Sequence, residues 1–298
     1  MSERITNSML TTNLLADLQG ITTRLAHTQA QLSSGKRIQQ PSDDPFGTSQ
    51  ALSFRADLAA NAQYQTNVSD GASWLDATDT ALGDISSLVL RARDLTVQGA
   101  NGSTGAAGNQ SIAAEIDQII DSIKTAANSQ YAGQYIFSGT KTTTAPYTTG
   151  GPDTFAGNNS AISRQIGPGV QVPINVDGKS VIGDDTSGLL ATLRTISNDL
   201  KTNNTAGLQT GDLSALDTAV DNVSTIRATV GARGDRLSTA LSRLQQLEES
   251  STESLSNAED ADMAETITNY SQQQAVYQAA LKAGASIIQP SLMDFLNS

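Results

Sequence analysis

The stretch MAETITNYSQQQAVYQAALKAGASII, residues 263–288, places mostly apolar residues at alternating steps of four and three. The residues on this spacing are Met263, Ile267, Tyr270, Gln274, Tyr277, Leu281, Gly284 and Ile288. Such spacing is the period of a coiled-coil seam. A single helix cannot bury its own apolar side, so the stretch predicts a partner strip in this chain or in another one.

A matching strip lies near the N-terminus, where the same steps of four and three recur. Its members are Leu14, Leu18, Ile21, Leu25, Thr28 and Leu32. The pattern stops at Ser33-Ser34-Gly35, where glycine can adopt the left-handed conformation that ends many helices. We therefore expect the two terminal strips to pair with each other.

The composition favours a slender helical protein over a compact enzyme. Only 4% of the 298 residues are aromatic, whereas globular cores usually contain more large rings. The net charge of -12 opposes binding to nucleic acid or to an anionic membrane surface. The chain has no cysteine, which excludes disulfides and thiolate metal sites, and we expect neither an ordinary export signal nor a membrane span.

The periodicity predicts a mainly α fold: an elongated antiparallel helical bundle or coiled coil of N- and C-terminal helices with a small β-rich inserted domain. Asp44 before Pro45 has the form of an N-cap followed by proline at the first helical position. The expected segments are an N-terminal assembly helix with its connecting segment (1–44), long helices of the rod (45–134), a β-rich insertion (135–188), returning helices (189–262) and a C-terminal assembly helix (263–298).

Several local features carry more specific expectations. Asp177-Gly178 is predicted to be a hairpin turn in the insertion. Gly231 and Gly234 are expected to interrupt a helix that carries Val220 and Val230. A long helix is then predicted from Leu237 through the polar stretch 248–262 into the C-terminal seam, and Pro290 is expected to close it.

Fragments that resemble chemical motifs are better explained structurally. Gly178-Lys179-Ser180 lacks the first glycine of a phosphate-binding loop, because Pro173 occupies that position. The single histidine, His27, is expected on a solvated helix surface, and Asp43-Asp44 is expected to form a turn and cap. We predict no catalytic, cofactor or metal site, and no enzyme activity.

The two strips could pair only with each other as a hairpin that contributes nothing but stability. Against this, Leu10, Leu15 and Ile287 place apolar surface on flanks that one partner helix would not cover. We therefore predict that both strips form an assembly interface with neighbouring subunits. The interface residues are Leu14, Leu18, Ile21, Leu25, Leu32, Met263, Ile267, Tyr270, Tyr277, Leu281, Ile288, Leu292 and Leu296.

Both ends of the chain resemble the flagellin superfamily. The resemblance is carried by RITNSML at residues 4–10, by QLSSGKRI at residues 31–38 followed by PSDDP at 41–45, and by the C-terminal seam. Within the superfamily, GQYIFSGTK at residues 133–141 and SLMDFL at 291–296 resemble the branch that joins hook to filament, more than filament flagellin.

The resemblance implies a structural subunit of the bacterial flagellum that lies outside the cell and has no cofactor. Implied partners are flagellin, a neighbouring hook-associated protein (junction protein 1), other copies of the chain and a flagellar export chaperone, with no role for nucleic acid or membrane. Export through the flagellar type III apparatus would suit termini that are poorly ordered before assembly. Filament flagellin is the alternative, and a secreted adhesin with a helical stalk is a more distant one.

Overall fold

The computed structural model describes the backbone of residues 7–296 and the side chains of residues 9 and 11–285. This part of the chain is mainly α-helical, as predicted. The longer helices are α1 (Asn7–Ser34), α2 (Pro45–Ala100), α3 (Gly105–Ala127), α5 (Leu189–Lys201), α7 (Leu213–Glu259) and α8 (Met263–Leu296). The shorter elements are β1 (Gln130–Tyr131), β2 (Gln134–Tyr135), β3 (Ser163–Gly167), β4 (Val170–Pro173), α4 (Gly178–Ile182), α6 (Thr205–Gly207) and a π-helical turn (Leu208–Asp212).

The chain forms two compact units. The terminal unit comprises the chain up to Ala59 and from Glu248 onward, and the middle unit is Ala60–Leu247. Helices α2 and α7 contribute residues to both units because each runs past a boundary. The middle unit is internally continuous, since α3 packs on α5 and the small sheets lie between these two helices in sequence.

Nearly all of the buried hydrophobic side chains belong to the middle unit. One cluster joins isoleucines of α3, such as Ile116 and Ile120, to leucines of α5 and to Leu82 and Ile85 of α2. The 3.6-residue periodicity of these helices accounts for the arrangement, because it gathers the aliphatic residues on one face. In the terminal unit, among the described side chains, Ile21 and Ala51 are the buried hydrophobic residues.

The predicted β-rich insertion contains less strand than expected. One antiparallel pair, β3 with β4, lies within 135–188, and most of the remaining segment is turn or irregular. The other antiparallel pair, β1 with β2, spans residues 130–135 and so lies almost entirely before the predicted start. Ile136, Phe137, Ile174 and Val181 of this segment are buried in the same cluster as α3 and α5. The segment thus shares the core of the middle unit.

The prediction of a hairpin at Asp177-Gly178 was wrong. Asp177 is the N-cap of α4, and its carboxylate accepts a hydrogen bond from the Lys179 N–H at 3.0 Å. Asp favours helix N-caps as well as turns, so the dipeptide alone could not decide. The hairpin joins β3 to β4 instead, with Gly169 at a positive φ of 70°.

Three expectations about the C-terminal helices were also wrong. Helix α7 continues through Gly231 and Gly234, because buried Val230 and Leu237 on either side keep it packed and each glycine costs only about 1 kcal/mol. The long helix is broken before α8, where Asp262 accepts from the Ala264 N–H at 2.9 Å. Helix α8 passes Pro290 and ends at Leu296.

A buried ion network supports the middle unit. The Lys124 side chain is fully buried, and its Nζ lies 2.5 Å from an Asp153 carboxylate oxygen and donates to the Gly151 carbonyl at 2.8 Å. Arg194 Nε donates to the other Asp153 oxygen at 2.6 Å. Burial alone would raise the pKa of Asp153, but the hydrogen bonds from Arg194 and Lys124 lower it overall.

Candidate assembly surface

The predicted strip on α1 faces α8. Helix α1 packs against α8, and of the strip residues Ile21 and Thr28 are buried while the four leucines are half-buried. The prediction that the two terminal helices pair is therefore confirmed within a single chain. The strip on α1 also lies where the steps of four and three placed it.

The line of α8 that meets α1 differs from the predicted seam. Its buried or half-buried members are Thr266, Tyr270, Gln273, Tyr277, Ala280 and Gly284. Three apolar residues of the predicted seam, Met263, Ile267 and Leu281, are instead 42%, 52% and 46% exposed. Gln274, a fourth member of that seam, is exposed as well. As a prediction of the side of α8 that faces α1, the seam was thus right at Tyr270, Tyr277 and Gly284 and wrong at these four positions.

Polar contacts and a glycine explain why this line of α8 is used. Thr28 Oγ1 lies 3.0 Å from Gln273 Oε1 and can donate a hydrogen bond to it across the helix pair. Gly284 is buried against Leu14, and a Cβ at Gly284 would lie 2.8 Å from Leu14 Cδ2. A search for apolar periodicity could not find this line, because Thr, Gln and Gly contribute little to such a pattern.

The terminal unit leaves large apolar side chains in solvent. Phe46 is 80% exposed, and Leu15 and Leu52 are 57% and 58% exposed. Met9 and Val276 are exposed as well. Single exposed apolar residues are normal, but the terminal unit combines several of them with a sparse buried core. Ile288, Leu292 and Leu296 of the predicted interface, and the flanking Leu10 and Ile287, lie outside the described side chains.

The loop between α1 and α2 is tied to the break between α7 and α8. Gly35 ends α1 with a φ of 71°, and its carbonyl accepts from the Ala261 N–H at 2.9 Å. The Arg37 N–H donates to the Glu259 carbonyl at 2.7 Å. These backbone hydrogen bonds hold the start of α8 beside the end of α1. They therefore fix the position of one end of the α1–α8 helix pair.

Glu259 is the side chain at the centre of this junction. It is buried, and it forms ion pairs with Lys36, at 2.8 Å, and with Arg55. Glu259 does not stand out in the sequence, because it is one of several acidic residues in a polar stretch. The basic Lys36-Arg37 after the helix end was noticed, but nothing in the spacing linked it to a carboxylate more than 200 residues away.

The turn before α2 agrees with the predicted cap. Asp44 Oδ1 accepts from the Gly47 N–H at 2.9 Å, and this bond together with Arg37 holds the pKa of Asp44 below its ordinary value. Asp43 accepts from the backbone N–H groups of Gln40 and Gln39, which lower its pKa. His27 is 45% exposed and lies 3.5 Å from Asp43, on the helix surface as expected.

The described residues were also compared with the requirements of a metal site and of a membrane span. Among the described side chains, those of residues 9 and 11–285, no group of three or more histidine, aspartate or glutamate side chains is arranged to hold a metal ion. Of the helices in the described part of the chain, none is both long enough and apolar enough to cross a lipid bilayer. The terminal helix pair is the candidate functional surface because it combines a thin core with exposed apolar residues.

Comparison with known proteins places this helical architecture in a class of flagellar structural proteins. The family model for the bacterial flagellin N-terminal helical region matches residues 5–142, and the model for the C-terminal helical region matches residues 213–296. Together they match well over half of the chain, which belongs to the bacterial flagellin family. The resemblance found in the sequence is confirmed.

Among individual relatives, the chain is similar to flagellar hook-associated protein 3 of Salmonella typhimurium, with 27% identity over 277 residues, 85% of this chain and 86% of that protein. It is also similar to flagellin of Bacillus subtilis, with 28% identity over 294 residues, 93% of each chain. The crystal structure of Bacillus cereus FlgL matches with a TM-score of 0.59 and 22% identity, covering 68% of this chain and 99% of that one. This last likeness concerns the fold.

Proposed function

We propose that the chain is a structural subunit of the bacterial flagellum that forms the junction between a hook-associated protein and the flagellin filament. The observation that carries this proposal is the similarity to flagellar hook-associated protein 3 over most of both chains. Under this proposal the protein acts by assembly and catalyses nothing.

The terminal helix pair is the part that we assign to assembly. Met263, Ile267 and Leu281 project away from α1, so they are available to neighbouring subunits. Burial of such side chains would contribute roughly 1.5–3 kcal/mol each. The remaining interface residues, Leu14, Leu18, Ile21, Leu25, Leu32, Tyr270, Tyr277, Ile288, Leu292 and Leu296, would hold the pair together or extend the surface at its end.

The partners follow from the same proposal. They are flagellin on one side, a neighbouring hook-associated protein on the other, and further copies of the chain in between. The subunit would reach its place outside the cell through the flagellar type III export apparatus, with an export chaperone covering the C-terminal helix until assembly. A terminal unit with few buried apolar residues is compatible with passage in an unfolded form, because little stabilisation is lost when it opens.

Deletion of the gene tests the proposal. A strain that lacks the protein should keep its hooks but shed unpolymerised flagellin into the medium, and it should not swim. Expression of the intact chain should restore filaments. Expression of a chain with Ile267→Asp and Leu281→Asp should not, because two carboxylates would replace apolar contacts at the proposed interface. Normal filaments in the deletion strain would contradict the proposal.

Filament flagellin is a second candidate, favoured by the 28% identity to Bacillus subtilis flagellin over 93% of both chains. The two candidates differ in copy number and position. Immunogold labelling should place a junction subunit only where the filament meets the hook, whereas flagellin would be labelled along the whole filament. Labelling along the filament would replace the first proposal by the second.

A further inference from the structure

A groove runs along the middle unit between α7 and the tip of the β3–β4 hairpin. Its volume is about 680 Å³. Buried Ile166 and Leu244 form its apolar floor, and Val170 and Leu247, 42% and 48% exposed, form its two edges. From Arg236 to Leu247 the α7 side of the groove spans eleven residue steps, which is about 16 Å at the helical rise. That length suits roughly three turns of a second helix.

Two arginines line this groove without a carboxylate partner. Arg236 and Arg243 stand two turns apart on α7, and neither guanidinium group forms an ion pair or a hydrogen bond with a described residue. Most other basic side chains of the middle unit are paired with aspartate or glutamate. These are Arg91, Arg93, Lys124, Arg164, Lys179, Arg194, Lys201 and Arg227. The groove is therefore a cationic site in a chain of net charge -12.

The complementary charge occurs in the same sequence, in a block without any basic residue. Residues 244–281 contain no lysine or arginine and seven acidic residues: Glu248, Glu249, Glu253, Glu259, Asp260, Asp262 and Glu265. Glu249 and Glu253 are exposed and lie one turn apart on α7. A helical segment with carboxylates on its surface is the kind of ligand that two arginines beside an apolar floor would bind.

We propose that the groove of one subunit binds the exposed acidic face of α7 around Glu249 and Glu253 of a second copy of the chain. The groove and the acidic residues that it binds are different patches of the protein surface. The contact is therefore heterologous and can continue from copy to copy around a ring. This inference rests on the proposed function, in which several copies lie side by side. It adds the surface through which one copy recognises the next, and it assigns Arg236 and Arg243 as its specificity determinants.

Photo-cross-linking in assembled flagella tests the contact. A photoreactive p-benzoylphenylalanine replaces Thr239, which is exposed and lines the groove, in the strain that expresses the intact chain. Irradiation should give covalent dimers and larger products whose peptides join position 239 to residues 244–281 of another copy. The matched control carries the same amino acid at Ser224, which is exposed on α7 outside the groove, and should give no such peptide.

Charge reversal provides the second measurement. Arg236→Glu with Arg243→Glu should reduce the cross-link yield at least fivefold, and so should Glu249→Arg with Glu253→Arg. The four changes together should restore most of the yield, because the charges are exchanged between the two surfaces. Lys141→Glu, a single charge reversal elsewhere in the middle unit, should leave the yield unaltered. Failure of the combined variant to recover would overturn the proposed pairing.

The identity of the cross-linked peptide decides the remaining outcomes. A link from position 239 to flagellin or to another hook-associated protein would overturn the choice of occupant. Intact flagella that contain the protein but give no cross-link would overturn the contact altogether. If the protein is absent from purified flagella, the proposed function fails instead, and the contact falls with it. Sedimentation of the protein with filaments distinguishes that case from the others.

Discussion

The terminal and middle units are both helical, yet they are held together in different ways. The middle unit buries one large cluster of aliphatic side chains and a charged network around fully buried Lys124. The terminal unit pairs α1 with α8 through half-buried leucines, a threonine–glutamine hydrogen bond and a buried glycine. The difference indicates a division of labour: the middle unit stabilises the monomer, whereas the terminal unit keeps apolar surface available for neighbours.

Hydrogen exchange should give the largest contrast between the units. We expect amides from Leu14 to Leu32 and from Met263 to Ile288 to exchange at least about a thousandfold faster than those of α3 in the isolated monomer, because few apolar contacts oppose local opening of α1 and α8. Mass spectrometry of deuterated peptides measures this directly. Equal amide protection in both units would refute this difference in local stability. Additional protection of the α1 and α8 amides in assembled flagella would show that neighbouring subunits stabilise these helices.

Matched core substitutions should differ in the same direction. Ile120→Ala removes a side chain that is fully buried in the middle unit, and it should cost about 3 kcal/mol of unfolding free energy. Ile21→Ala removes the buried isoleucine of the terminal unit and should cost about 1 kcal/mol, since the half-buried neighbours can close around the gap. Denaturant titration of each variant gives both values. Equal losses would mean that the α1–α8 pair is as tightly packed as the core.

The features that could be predicted from the sequence are those that depend on local contacts. Side chains that act locally were predictable: Asp44 caps α2 at Pro45, Gly35 ends α1, and the α1 strip lies on the expected face. Contacts between residues far apart in the sequence could not be predicted, because no local pattern links Glu259 to Lys36 or Thr28 to Gln273. At Gly231 and Gly234 the local pattern predicted a break in the helix, but tertiary packing keeps α7 continuous there.

Glu259 tests how far the terminal unit depends on its loop junction. Glu259→Gln should cost about 1 kcal/mol, a modest loss because Lys36 and Arg55 remain 41% and 48% exposed and can be solvated. Exchange of the amides in the loop between α1 and α2 should rise, while the middle unit should be unchanged. Glu253→Gln, an exposed site on the same helix, is the control. No change relative to that control would show that the backbone bonds alone hold the junction.

Acid should produce the smallest effect. The pKa values of Asp43 and Asp44 are lowered by backbone hydrogen bonds, so their stabilising contribution is present above the ordinary value near 3.8 and is lost as the pH falls through the lowered values. We expect little change in the stability of the terminal unit from pH 7 to 5 and a decline below pH 4. Thermal melts of Asp44→Asn should show a weaker decline over the same range. An unchanged decline would assign the acid sensitivity to other carboxylates.

Gly284 has a consequence for the alignment of the terminal helices along their common axis. The heptad-like spacing would by itself allow α8 to slide by seven residues and still present a similar face to α1. Such a slide would bring Tyr277 opposite Leu14, where a single added carbon at Gly284 would already lie 2.8 Å from the leucine. Because Gly284 has no side chain, Leu14 fits opposite residue 284 and only one alignment of α8 along α1 avoids a steric clash. A subunit that orders its ends only on assembly would in this way still find a unique alignment.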